Sequence, residues 1–289
     1  MELLPFLSSS ARHDLKFLAI KYFVGLSGTV DGRLFINSKP VYVDRIIELA
    51  SDNVTDVVCE AISCLVNLAG DPNGVNSIMN SQLAGQLLDS VLSNVVMKGC
   101  ALADALAMLL SNLSREASAA ERIVDKLIGA DPPTTLDQLV QVMCLVGFNQ
   151  MAELHFLAPF LANLSQVTSA RKYFMDKQRC VIQRLLPFMK HKSDVRRQGV
   201  SMILKNCCFD YEYHDWLLGP EVDILPCLLL PLAGPEEFDE DDMEKLPADL
   251  QYLEPDKRRE PLAIVRANLV EALIQLTLNC LGGICLLNS

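Results

Sequence analysis

Apolar residues recur at three- and four-residue spacing along most of the chain. Near the start, Leu15, Leu18, Ala19, Tyr22, Phe23 and Leu26 share one face of a helix. The same period predicts helices over 42–50, 56–69, 83–95, 100–113, 117–128, 135–147, 168–176, 178–190 and 193–206. Breaks fall at "GDPNG", "GADPPTT" and "KHKSD". Thr135 with Gln138, just after Pro132 and Pro133, has the spacing of a capping box, and Ser193 is placed to cap the next helix. Pro159 removes a backbone donor, so a helix should kink or restart there. Strand-like alternation is confined to "GRLFINSKPVYV".

One polar residue breaks the apolar pattern repeatedly. In "LLSNLSRE" Asn112 lies among leucines, although its amide competes with the backbone and disfavours a helix interior. "SCLVNLAG", "FLANLSQ" and "MILKNCCF" repeat the arrangement at Asn67, Asn163 and Asn206, each with a leucine two residues earlier. The interval of about 45 residues is that of armadillo or HEAT repeats, whose units cannot bury their apolar faces alone. The expected fold is therefore an all-α, armadillo/HEAT-type α-solenoid with one acidic loop insertion. Residues 1–233 should form the repeats and 234–261 an acidic, proline-punctuated insertion that supplies no core helix. Residues 262–289 should hold a last repeat helix, with Gln275 in the amide position, and a hydrophobic tail.

The recurring amides have two readings. They tie neighbouring repeats together as buried register devices, or they form a ladder facing a partner groove. The positions one turn earlier, where a peptide-carrying armadillo protein presents tryptophan, are Ser63, Met108, Pro159 and Met202, and the single tryptophan, Trp216, is elsewhere. This disfavours an import-type peptide-binding transport adaptor.

Composition narrows the function classes. A formal charge of −11 argues against nucleic acid, which requires clustered cations to displace counterions. No run reaches the roughly 18 apolar residues of a membrane span, and no export signal precedes Asn53, Asn112 and Asn163 in their N-x-S/T contexts. The ten cysteines include no C-x-x-C pair, as expected of reduced core thiols. The chain thus reads as a monomer that is cytosolic or nuclear.

Catalytic signals are sparse. His13, His155, His191 and His214 lack metal-site spacing, and no phosphate loop, dinucleotide fingerprint or nucleophile elbow is present. The expectation is a protein without cofactor, metal or catalytic residues. The remaining enzymatic alternative is a site assembled from Cys207, Cys208 and His214. Asp239, Glu240, Asp241 and Asp242 lack the spaced ligands of a calcium loop and read as a solvated acidic face open to a partner.

"WLLGPEVDILPCLLLPLAGPEEFDEDDMEKLPADLQYLEPDKRREP", residues 216–261, closely resembles the Hgh, or brain-protein-sixteen, family of eukaryotic armadillo-like proteins. "LLPFLSSSARHDL", "LSNLSREAS", "LHFLAPFLANLSQ", "RCVIQRLLPF" and "VRRQGVSMILKNCCFDYEYHDWLLGPEVDILP" extend the resemblance over most of 1–275. It implies a folding factor that binds newly made translation elongation factor two and brings it to the cytosolic chaperonin. Members continue beyond "VEALIQLT" through further repeat helices, whereas this chain ends in "LNCLGGICLLNS". The expectation is a truncated or alternative form in which Leu269, Leu273, Leu276 or their neighbours are exposed.

Overall fold

The computed structural model describes residues 3–129, 134–236, 239–246, 248–254 and 256–287, with side chains as far as Leu278. Pro132 and Pro133 therefore lie outside the described residues, as do the side chains of the hydrophobic tail. Among the described residues there are eighteen α-helices and no strand. They group into two compact units, Met1–Leu164 and Ser165–Ser289.

In the first unit, α1 (His13–Ser27) precedes three helical triplets. The first is α2 (Val30–Asn37), α3 (Pro40–Leu49) and α4 (Thr55–Leu68). The second is α5 (Pro72–Met79), α6 (Ala84–Val95) and α7 (Ala103–Leu113). The third is α8 (Ala117–Leu127), α9 (Leu136–Cys144) and α10 (Leu157–Leu164). The last helix of each triplet stacks on its predecessor, α4 on α1, α7 on α4 and α10 on α7. Leu65, Leu110 and Leu161, the leucines two residues before each asparagine, are fully buried in this stack. Pro159 falls in the first turn of α10, where a missing N–H leaves no intrahelical bond unmade.

The second unit begins with α11 (Thr168–Phe174), α12 (Val181–Leu185) and α13 (Asp194–Cys207). It continues with α14 (His214–Leu218) and α15 (Ile224–Leu229). The short α16 (Glu240–Met243) and α17 (Ala248–Gln251) lead to α18 (Ala263–Leu287), which packs on α13 and α15. The helix expected over 178–190 starts at Val181 and tightens into a 3-10 turn at Leu186–Lys190, where Pro187 cannot donate backward.

Several local expectations change. The strand-like "GRLFINSKPVYV" is helical: Thr29 Oγ1 accepts from Gly32 N at 3.1 Å to open α2, and Pro40 opens α3. The apparent break "GDPNG" opens α5 in the same way, with Asp71 Oδ1 accepting from Gly74 N at 3.1 Å. Glycine is needed at both third positions because each helix starts against the carbonyl end of the helix before. A Cβ would stand 1.9 Å from Leu26 O at Gly32 and 1.7 Å from Leu68 O at Gly74. The Thr135–Gln138 capping box forms, whereas Ser193 occupies the cap position without a side-chain bond.

The insertion is partly docked. Leu250 of α17 is buried, Glu260 N donates to Pro231 O at 2.8 Å, and Arg259 Nε donates to Leu232 O at 3.0 Å. In α18, Leu269 and Leu276 are buried and Leu273 is half-buried. The exposed apolar residues are their neighbours Val270 and Ile274, with Ile264 and Leu278.

Buried ion pairs recur at one register position. Lys16, fourth residue of α1, meets Asp52, three residues before α4, at 2.7 Å, with side chains 8% and 2% exposed. Arg197, fourth residue of α13, meets Glu260, three residues before α18, at 2.8 Å. The hydrogen bond to Glu260 raises the Arg197 guanidinium above its ordinary value. A buried pair tolerates joint replacement far better than loss of one member. Lys16→Met should therefore destabilise the first unit by about 3–5 kcal/mol. Lys16→Met with Asp52→Leu should restore most of that loss, short of about 1 kcal/mol for the bond from Val54 N to Asp52 Oδ1. Urea unfolding followed by far-ultraviolet circular dichroism measures both. A double variant no more stable than the single one would contradict this account.

Candidate partner-binding surface

The four asparagines lie at the ends of their helices, and in the first unit each amide reaches back one layer. Asn67 Nδ2 donates to Ser27 Oγ at 3.0 Å, and Asn112 Nδ2 to Val66 O at 3.2 Å. Asn163 Nδ2 donates to Ser111 O at 2.9 Å and Ser114 Oγ at 3.1 Å. In the second unit Asn206 Nδ2 donates to Ser165 Oγ at 2.8 Å. Asn112 and Asn163 are only 8% and 9% exposed, so these bonds replace water that the packed helices exclude. The geometry is that of a register device.

Solvent instead meets the positions one turn earlier. Ser63 on α4 is exposed, Met108 on α7 and Pro159 on α10 are half-buried, and in the second unit Met202 on α13 is half-buried. Three of the four side chains are apolar and none is aromatic. Trp216 is buried in α14, its Nε1 donating to Glu221 Oε2 at 3.1 Å.

Asp239, Glu240, Asp241 and Asp242 are exposed. Asp239 Oδ1 accepts from Asp242 N at 2.9 Å, capping α16, and Asp242 pairs with Lys245 at 3.0 Å. Among the described residues no group of three or more His, Cys, Asp and Glu side chains could hold a metal ion, and no helix is long and apolar enough to cross a membrane.

Cys207, Cys208 and His214 are not arranged as nucleophile and base. All three are buried, and His214 Nε2 lies 2.7 Å from the backbone oxygen of Cys208. Burial raises the Cys207 thiol well above its ordinary value and pushes Cys208 up to about 12. These groups remain protonated thiols where a nucleophile requires a thiolate.

Sequence reasoning missed one amide of this kind. Asn268 on α18 is buried and donates to Ser201 Oγ on α13 at 3.0 Å, while Gln275 accepts from Tyr211 Oη at 3.1 Å. The signal was present: Asn268 is followed by leucine, as are Asn67, Asn112 and Asn163.

Stacked helices tied by end-of-helix amides define an armadillo-type helical repeat protein. A crystal structure of computationally designed armadillo repeat proteins for modular peptide recognition shares the fold. Its TM-score is 0.65 at 12% identity, covering 95% of this chain and 98% of that one. A second designed armadillo repeat protein matches with TM-score 0.67 at 11% identity, over the same shares of both chains. Residues 94–267 match the domain of unknown function DUF383. The chain is 44% identical to the Homo sapiens protein HGH1 homolog, over 98% of this chain and 72% of the relative. It is 36% identical to the Drosophila melanogaster protein HGH1 homolog, over 95% and 76%. The chain belongs to the HGH1 homolog family, as the motifs in 216–261 and elsewhere indicate.

Two measurements test this chemistry. Asn163→Leu should cost about 2 kcal/mol, because two buried bonds are lost, to Ser114 Oγ and to Ser111 O, which keeps only Ser114 Oγ as donor; Asn67→Leu, half-exposed with one such bond, should cost about 1 kcal/mol. Equal losses by circular dichroism would remove the register role. In the native protein at pH 7 to 9, exposed Cys180 should react with a thiol reagent, while Cys64, Cys207 and Cys208 should react only after unfolding. Rapid native labelling of Cys207 or Cys208 would favour the enzymatic alternative.

Proposed function

We propose that the protein is a non-enzymatic scaffold that holds newly made translation elongation factor two and recruits the cytosolic chaperonin. It acts as a monomer in the cytoplasm, without cofactor. Family membership supports the choice of client. The observation that carries the scaffold reading is the line Ser63, Met108 and Pro159, one position from each of three stacked helices, held in register by the amides behind it. Aligned positions of this kind give a client surface area and spacing to read, which suits recognition of a large, incompletely folded protein. The exposed carboxylates at 239–242 add a screened contact for basic segments of the client.

Capture of newly synthesised elongation factor two from a translation extract tests the proposal. Met108→Glu should weaken capture by about tenfold without changing thermal stability, since Met108 is half-exposed and central to the line. Replacing Asp239 and Asp241 with lysine should cost less and flatten the salt dependence. Undiminished capture by all these variants would overturn the assignment of surface. Absence of capture by the unaltered protein would overturn the assignment of client.

A further inference from the structure

The second unit contains a cavity of about 610 Å³ with a charge opposite to that of the chain. Its apolar wall is formed by Met189, Pro226, Cys227, Leu230, Pro231 and Pro261. Lys190, Lys192, Arg197, Lys257, Arg258 and Arg259 bring six cationic side chains to the same space, against one carboxylate, Glu260. The full sequence is the reverse, with 25 Lys and Arg against 36 Asp and Glu.

Neutralisation inside the site is incomplete. Arg197 is matched by Glu260 and Asp194, and Arg259 by Glu236. Among the described residues Lys257 Nζ reaches backbone oxygens, of Ala233 at 3.3 Å and Arg258 at 2.8 Å, and no carboxylate. Lys190, Lys192 and Arg258 are exposed and form no ion pair among the described residues. Four cations around one concavity, paired with no carboxylate among the described residues, repel one another, and an anionic ligand relieves that repulsion.

We propose that this cavity binds an acidic peptide segment of a partner protein, with an apolar side chain of the peptide against the wall and its carboxylates at the basic rim. The inference rests on the scaffold reading above and adds a second, chemically distinct contact to it. The volume lies within the range of about 300–1,000 Å³ typical of ligand sites. Nucleic acid and anionic membranes fit less well, because an extended polyanion must approach a chain of net charge −11. A free phosphate would leave the apolar wall unused. The pair between Arg259 and Glu236 shows the rim already taking a carboxylate.

The test uses the full chain and three fluorescent dodecapeptides: Asp and Glu flanking a central Leu-Phe, the same with Lys for every acid, and an acidic one with Gly-Gly at the centre. Anisotropy should show binding of the first alone at moderate salt. Lys190→Glu with Arg258→Glu should weaken it by at least about tenfold, whereas Lys21→Glu with Lys98→Glu, an equal change in net charge, should not. All four positions are exposed, and circular dichroism confirms that each variant is folded.

Cys227 supplies an independent readout. Burial raises its thiol, Lys190 opposes the rise, Asp223 and Asp249 add to it, and Cys227 lines the cavity. Bound peptide should slow its alkylation, followed residue by residue by mass spectrometry, while Cys180 remains unaffected. Equal binding of all three peptides, an unchanged affinity in the double variant, or unprotected Cys227 would overturn the proposal. Displacement of the peptide by millimolar inorganic phosphate or by short duplex DNA would overturn it in favour of phosphate recognition. Because the peptides are assayed directly, failure to capture elongation factor two leaves this result unaffected.

Discussion

Each stacked helix must bury an apolar face against its neighbour while satisfying the polar backbone at its end. That constraint is met by one side chain. The last turn of a helix carries carbonyls with no intrahelical partner, and packing removes the water that would otherwise serve them. An asparagine from the following layer supplies the missing donor at Val66 O, and at Ser111 O it joins Ser114 Oγ, which donates at 3.2 Å. Elsewhere the donor goes to a serine hydroxyl, Ser27 in the first unit and Ser165 in the second. A helix slipped by one residue would lose both the bond and the leucine packing two positions before it. Orientation and register are thus fixed together, and so are the solvent-facing positions one turn earlier.

This explains what could be read from the chain. A side chain that is unfavourable within a helix but recurs at constant distance from a buried leucine is conspicuous, and it revealed the repeat and the fold class. The helix starts were harder to read because the same residues break and begin helices. Asp71 and Pro72 resemble a turn, yet they cap and open α5, and the glycine that follows answers a backbone contact with Leu68. "GRLFINSKPVYV" alternates like a strand because two short helices meet within it, each contributing only a turn or two of apolar period.

The long-range polar partners were not legible. Lys16 and Asp52 are 36 residues apart, and Arg197 and Glu260 are 63 apart with the insertion between them. Composition marked 234–261 as solvated, but composition does not disclose that Glu260 closes the segment back onto α13. The equivalent register of the two pairs emerges only when residues are counted from the helix starts. Asn268 was missed because the insertion changes its distance from Asn206, although its neighbouring leucine matches the others.

The distribution of charge bears on how such a surface chooses partners. At physiological ionic strength the field of an exposed charge falls off within about 8 Å. A ligand therefore feels chiefly the charges nearest it: the carboxylate excess over the chain as a whole, with 36 Asp and Glu against 25 Lys and Arg, and Lys190, Lys192, Lys257 and Arg258 once it enters the cavity. An extended polyanion reaches beyond the cavity and so also lies against that carboxylate excess. A short acidic segment attached to a protein with basic surface elsewhere satisfies both fields at once, because its basic surface meets the acidic chain while its acidic segment meets the rim. Such an arrangement selects for alternating charge in the partner and not for charge alone, which a uniformly acidic or uniformly basic surface cannot do.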